Sequence, residues 1–142
     1  FKDARRSFEG RGADRVHLAA EPAVSVCADR ELIVLALRQL IDNALKYSGA
    51  ESLVHLSADS ESAAVLMRVS DQGPGIPERD AERIFEKFYR RTSASQIPGT
   101  GLGLHIAREI ARIHGGDLRL DQASAHGATF CLSLPLAGEA RS

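Results

Sequence analysis

Gln39-Leu-Ile-Asp-Asn43-Ala-Leu-Lys46-Tyr47 is the second half of a segment in which Leu32, Leu35, Ala36, Leu40, Ala44 and Tyr47 recur at intervals of three and four residues. That pattern is one apolar face of a long helix, opened by Asp29 as an N-cap and stopped near Ser48-Gly49. The same helix carries Gln39, Asn43 and Lys46 at spacings of four and three, so two neutral amides and one cation share a stripe. Taken alone, that stripe is the wet side of an ordinary amphipathic helix. It gains meaning only beside the segments around it.

On the N-terminal side, residues 1–14 are charged and glycine-containing, and read as a linker or the tail of an upstream helical element. Val16-His-Leu18-Ala alternates like a strand, and Val24-Ser-Val26-Cys27 like a second short one. On the C-terminal side, Leu53 to Leu56 and Ala64 to Val69 read as strands joined by a polar turn from Ser57 to Ser62. Residues 78–88 suggest a short helix, and 89–101, rich in Arg, Thr, Ser, Gln, Pro and Gly, a mobile loop. Leu102, Ile106, Ile110 and Ile113 mark a second long helix, stopped by His114-Gly-Gly116. Asp117 to Leu120 and Ala128 to Leu134 then close a hairpin around Ser124 to Gly127, ended by Pro135. The expected product is one α+β domain over residues 15–136: a two-layer sandwich of an antiparallel or mixed sheet with helices on one face. Residues 137–142 read as a disordered tail.

Bulk properties narrow the function classes. The 142 residues are 44% hydrophobic and 26% charged, enough for one buried core. A net charge of −1 and the lack of a long basic run argue against nucleic acid as the partner, although Arg90-Arg91 is a local positive spot. Cys27 and Cys131 form no metal-binding or redox spacing, so free thiols in a reducing compartment are the simpler reading, with a disulfide left open. No apolar run approaches a membrane span and no signal peptide is present. The opening Phe1, in place of Met, suggests a piece of a longer protein.

Two further stretches supply chemistry. Asp71-Gln-Gly73-Pro-Gly75-Ile76 puts a carboxylate where a buried strand meets a tight turn. Such a group can accept a hydrogen bond from an exocyclic amine such as adenine's, with Gly73 and Gly75 letting the backbone approach a flat base and Ile76 packing on it; a plain Asp turn is the alternative. Gly99-Thr100-Gly101-Leu102-Gly103-Leu104 opens the second helix, where first-turn N–H groups are unpaired and the dipole favours anions such as phosphate; the alternative is a flexible hinge. Its GxGxG spacing fits neither a dinucleotide fold nor a P-loop. Amide oxygens on the first helix can serve magnesium, which shares its shell with water and phosphates, and Lys46 can meet a phosphate as a point charge.

Together these stretches resemble the catalytic, ATP-binding domain of a two-component sensor histidine kinase, of the gyrase, Hsp90, histidine kinase and MutL superfamily. Asn43-Ala-Leu-Lys46-Tyr47 resembles the N box, Asp71 to Gly75 the G1 box, and Ile84-Phe85-Glu-Lys-Phe88-Tyr89-Arg90 the F box. Gly99 to Leu104 resembles the G2 box, and Gly127-Ala-Thr129-Phe130 the last glycine motif. The resemblance implies the Bergerat ATP-binding fold, with ATP and magnesium bound. Asn43, and Gln39 on a longer arm, would hold the metal; Lys46 and Tyr47 would approach the phosphates; Asp71 would read the adenine amine; and Thr129 would join the nucleotide site. Residues 91–101 would form the ATP lid and Arg90 would reach the γ-phosphate. Phe85 and Phe88 would pack the root of the lid and meet the partner domain, or simply fill the core.

Many such kinases carry Asn where this chain has Gln39. The ATPase branches carry Glu there to polarise water, and a neutral amide cannot act as that base, so Gln39 favours phosphoryl transfer over hydrolysis. The phosphoacceptor His-Glu or His-Asp motif is missing: His17, His55, His105, His114 and His126 read as structural or surface residues. The resemblance therefore implies a fragment that does not phosphorylate itself. Its partners would be a separate dimerisation and phosphoacceptor domain and, indirectly, a response regulator. Its place would be the cytoplasmic part of a sensor, with or without a membrane anchor in the parent. An anti-sigma-type serine kinase, opposed by the F box, and a non-catalytic ATP-sensing or docking module are the alternatives.

Overall fold

The computed structural model describes residues 16–18, 29–47, 53–61, 63–72, 81, 83–86, 102–124 and 127–135, with the backbone alone at 16–18, 47 and 122–124. The expected strand at Val24 to Cys27, the linker at 1–14, the loop at 89–101, most of the short helix at 78–88 and the tail lie outside the described residues. So do Gly73, Gly75, Ile76, Phe88, Arg90, Gly99, Thr100 and Gly101.

Five strands, β1 (Val16–Leu18), β2 (Val54–Glu61), β3 (Ala64–Ser70), β4 (Asp117–Ser124) and β5 (Gly127–Pro135), form one sheet in the order β1-β2-β3-β5-β4. β1 runs parallel to β2 and every other pair is antiparallel, so of the two arrangements expected, antiparallel or mixed, the sheet is mixed. Two helices, α1 (Arg30–Tyr47) and α2 (Gly103–Ile113), pack on each other and on one face of the sheet, α1 over β2 and β3, α2 over β4 and β5. Among the described residues no helix is long and apolar enough to cross a membrane.

The strands are longer than their apolar runs. The stretch from Ser57 to Glu61, read above as a turn, continues β2: Glu61 pairs with Ala64, so the reversal takes two residues. Leu56 and Ala58 point into the core while Asp59 and Glu61 face outward, and cross-strand hydrogen bonding holds a polar strand end that alternation alone leaves weak. β4 likewise extends to Ser124, after a register shift between Leu120 and Gln122, and Ser124 pairs with Gly127.

The core is continuous from both helices to the sheet. Phe130, Leu37, Leu40, Ile41, Leu56, Leu118, Leu132 and Leu134 are fully buried, each such side chain contributing about 1.5–3 kcal/mol. α1 buries Leu37 and Ile41 as well as the predicted Ala36, Leu40 and Ala44, because it meets α2 and the sheet on two sides. The apolar positions that mark α2 divide: Ile110 is buried together with Ala107 and Ala111, while Ile106 is 36% and Ile113 72% exposed. Small alanines let two helices approach closely, and the buried stripe follows them rather than the larger isoleucines.

Glycines end α2 as predicted. Gly115 takes φ +84°, its N–H donates to Arg112 O, and Gly116 N–H donates to Ala111 O, a Schellman stop. A Cβ on Gly116 would lie 1.7 Å from Ser133 O, so only glycine lets the chain turn beneath β5.

Candidate functional site

Two contacts fix how the helices run. Asp29 N–H donates to His114 Nε2 at 3.0 Å, joining the start of α1 to the end of α2. Near the other end, a Cβ on Gly103 would stand 2.8 Å from Gln39 Oε1, placing Gln39 beside the first residue of α2. The helices are therefore antiparallel, and Asn43 lies about 6 Å further along α1, past the start of α2. One end of its carboxamide, Nδ2, is buried with no hydrogen-bond partner among the described residues. A buried amide without a protein partner is costly to keep.

Strand connectivity brings a second set of groups to that edge. β4 runs back beneath α2 after the Gly115-Gly116 turn, β5 returns, and β3 is antiparallel to β5. The end of β3 and the start of β5 thus emerge where α2 begins. There Asp71, 9% exposed, is the one charged side chain in the buried class among the described residues. Ala128 N–H donates to Asp71 Oδ1 at 3.3 Å and Asp71 N–H donates to Ala128 O at 3.0 Å, so backbone fixes the carboxylate. Thr129, expected in the site, pairs with Ser70 across the strands, hydroxyl to hydroxyl at 3.0 Å.

The two helix N-termini are built differently. In α1, Asp29 Oδ1 accepts from Leu32 N–H at 3.2 Å and Glu31 adds negative charge to the first turn. α2 follows Leu102, which cannot cap; among the described residues it has no side-chain cap hydrogen bond and no acid in its first turn. Its orphan N–H groups and positive dipole end therefore suit an anion from outside the helix. Leu104 tucks partly into the core and anchors that turn.

The remaining sequence candidates are placed as follows. Lys46 Nζ lies 2.9 Å from Asp42 Oδ2 on the same helix, an exposed pair of the kind worth little and easily exchanged. Tyr47 ends α1. Phe85 is core: it meets Phe130 edge to face at 6.1 Å, Arg108 stacks 4.8 Å from its centroid, and His105 Nδ1 lies 3.3 Å from its carbonyl oxygen. His114 is structural, with Nδ1 donating to Ile110 O at 2.8 Å and Nε2 accepting from Asp29. Reading the sequence missed Ala128 as an orienting group, because a backbone donor leaves no side-chain signal, and missed the contact of Gln39 with Gly103.

Charge away from this edge is structural. Asp117 receives Arg108 Nε at 3.1 Å, Arg112 Nε at 3.2 Å and Leu118 N–H at 2.8 Å. Burial pushes its carboxyl up, but these bonds and the two guanidinium charges outweigh that and hold it below the usual value. On the outer sheet face Arg68 bridges Asp59 and Asp121, and Arg119 also holds Asp121. The Arg119 bond above all lowers the Asp121 carboxyl, against burial and with help from Arg68. Cys131 lies in register between Arg68 and Arg119 as a free, fully buried thiol whose pKa burial raises despite the two cations.

Comparison with known proteins agrees with this architecture. Residues 28–138 match the family described as histidine kinase-, DNA gyrase B-, and HSP90-like ATPase. The chain is 42% identical over 124 residues to the signal transduction histidine-protein kinase AfsQ2 of Streptomyces coelicolor, covering 86% of this chain and 23% of that protein. It is 39% identical over 140 residues to the sensor-like histidine kinase SenX3 of Mycobacterium tuberculosis, covering 96% and 34%. The chain thus spans a minor part of these relatives. Among solved structures, the mycobacterial sensor histidine kinase MprB superposes with a TM-score of 0.82 at 30% identity, covering 95% of both chains. The ATP binding domain of PrrB from Mycobacterium tuberculosis gives 0.76 at 31% identity, covering 96% of this chain and 90% of that one. The chain belongs to the histidine kinase-, DNA gyrase B- and HSP90-like ATPase family and is, within it, an ATP-binding catalytic domain of the sensor histidine kinase type.

Proposed function

We propose that this domain binds Mg-ATP at the edge where α2 begins and offers the γ-phosphoryl group to a histidine on a separate dimerisation and phosphoacceptor domain of its parent protein, for onward transfer to a response regulator. One observation carries the reading: the buried Asn43 Nδ2 and the first turn of α2, neither with a side-chain partner among the described residues, converge on that edge with the buried carboxylate of Asp71. No single element of the fold requires all three. A nucleotide, with an amine at one end and phosphates at the other, uses each of them.

In this reading Asp71 accepts the adenine amine, since a carboxylate can take more than one donor and Ala128 holds it in place. Thr129 stands next to it, and the first turn of α2 from Leu102 to Leu104 meets phosphate. Lys46 exchanges Asp42 for a phosphate oxygen, and Tyr47 approaches the same end. Roles for Gly73, Gly75 and Ile76 at the base, for Gly99, Thr100 and Gly101 in the lid, and for Arg90 at the γ-phosphate rest on the family resemblance. The reading puts the domain in the cytoplasm, a compartment that suits the Cys131 thiol.

Magnesium fits the residues present. Among the described residues no His, Cys, Asp and Glu cluster forms a metal cage. Magnesium favours few protein ligands together with phosphates and water, and Asn43 can turn its amide oxygen to such an ion. When bound, the ion would neutralise charge on the transferring phosphoryl group. The protein's own part is positioning: the acceptor imidazole must arrive in line with a phosphate that α2 and Lys46 hold still. Gln39, a neutral amide, gives water no base at this edge.

Calorimetric titration of this domain with a non-hydrolysable ATP analogue tests the reading. Saturable binding, competed by ADP and strengthened by magnesium, is the expected result; no binding in either condition overturns it. Incubation with γ-labelled ATP should leave the isolated domain unlabelled, and stable self-labelling would contradict the need for a separate acceptor.

A further inference from the structure

We propose that Gln39 is a positioning residue whose carboxamide, parked against Gly103, sets how the first turn of α2 stands beside the Asn43 turn of α1. The proposal rests on the nucleotide reading above and gives Gln39 a task other than ligating metal. A Cβ added to Gly103 would meet three atoms of one side chain: Gln39 Oε1 at 2.8 Å, Cδ at 3.8 Å and Cβ at 3.9 Å. The whole length of Gln39 therefore lies along the bare Cα of Gly103. The separation of the helices at this point is set by a long residue on one side and the lack of a side chain on the other.

The location gives the contact its consequence. Gly103 is the first residue of α2, in the turn with no side-chain cap, and Asn43 is the next residue along the Gln39 stripe. Gln39 Oε1 brings the negative end of an amide dipole to the positive end of the helix without a hydrogen bond among the described residues. It leaves the orphan N–H groups of that turn to an outside acceptor, whereas a hydrogen-bonded cap such as Asp29 gives α1 would consume them.

The geometry makes the pair separable by mutation. Gly103 has helical backbone, so Gly103→Ala gains helix propensity. The atom that its methyl would strike is the far end of a flexible side chain, so the carboxamide moves rather than the helix. If the Gln39 placement matters, binding suffers while the fold does not. Removing the long side chain as well should return the space.

The test is a double-mutant cycle on this domain, titrating the non-hydrolysable ATP analogue with and without magnesium and recording thermal unfolding of each variant. Gly103→Ala is expected to weaken analogue binding about tenfold without lowering the melting temperature, within the range of couplings between touching residues. Gln39→Ala/Gly103→Ala should recover most of that loss. Gln39→Ala alone should weaken binding about threefold and keep the wild-type ratio of affinities with and without magnesium. If Gly103→Ala fails to fold, recovery of folding in the double variant supports the proposal and lack of recovery overturns it. Loss of the magnesium effect in Gln39→Ala would make Gln39 a metal ligand and overturn the proposal. So would a Gly103→Ala domain that binds normally, or one whose defect Gln39→Ala leaves in place. A wild-type domain that binds no analogue would instead sink the nucleotide reading itself.

Discussion

Asp71 and Ala128, 57 residues apart, are locked by two reciprocal hydrogen bonds: Asp71 N–H to Ala128 O at 3.0 Å and Ala128 N–H to Asp71 Oδ1 at 3.3 Å. The ladder between β3 and β5 thus ends in a residue held through its backbone N–H and through one oxygen of its carboxylate. If that carboxylate reads adenine, Asp71→Asn keeps an oxygen for Ala128 but turns an amide N–H toward the incoming amine. Affinity for the ATP analogue should fall about 10- to 100-fold, the value of a hydrogen bond to a charged group, and calorimetry measures it directly. Unchanged affinity would remove Asp71 from the site.

Gly127 guards the same lock. Its φ is +139° and a Cβ there would lie 2.2 Å from Asp71 O. Gly127→Ala should cost about 2 kcal/mol or more through strain and overpacking and should weaken analogue binding as Asp71 is pushed aside. Denaturant unfolding and calorimetry on one sample check both effects.

Asn43→Ala removes the amide proposed for magnesium together with its buried Nδ2, which has no partner among the described residues. The expected signature is selective: magnesium no longer strengthens analogue binding, while binding in chelator stays within about threefold of wild type, a loss of under 1 kcal/mol. A retained magnesium effect would refute the assignment.

His114 joins the two helices at the edge away from the nucleotide, accepting from Asp29 N–H and donating to Ile110 O. His114→Ala loses both bonds and should cost about 1–3 kcal/mol in urea unfolding, with faster hydrogen exchange in the first turn of α1. Analogue affinity should change little, because Asn43, Asp71 and the start of α2 lie at the opposite edge.

Acid should destabilise the domain through Asp117 and Asp121. Both carboxyls are lowered in the folded state from the ordinary value of 3.8. A depressed carboxylate contributes stability that is present above its unfolded pKa and is lost as pH falls through the folded one. Stability should therefore be steady near neutrality and decline below about pH 4. Asp117→Asn should be less stable than wild type at pH 7 and show a shallower decline; an equally steep decline would shift the acid effect to other groups. The pairs are partly exposed, so high salt should also reduce the difference.

The family and the α+β sandwich were legible because short-range chemistry carries them. Helical spacing exposes α1, the glycine pair stops α2, and the boxes keep their order along the chain. Polar strand ends at Ser57 to Glu61 and at Asp121 to Ser124 were not legible, since pairing with a neighbour decides them, and sequence alternation shows only which side chains can be buried. Which residues of α2 are buried is not legible for a related reason: close helix packing selects Ala107 and Ala111, whereas hydrophobicity alone does not separate Ile110 from Ile106 and Ile113.

For the site, local spacing along the chain is enough to name the cast: two amides and a cation on one stripe, a carboxylate at a strand end and a glycine-rich helix start. The folded chain adds that Ala128 orients Asp71, that the Asn43 Nδ2 lacks a partner among the described residues and that Gln39 lies on Gly103. Those facts depend on which elements meet across 57 residues of chain for Asp71 and Ala128 and 64 for Gln39 and Gly103. Local spacing cannot encode such meetings, because packing and strand register set them once the whole core has formed.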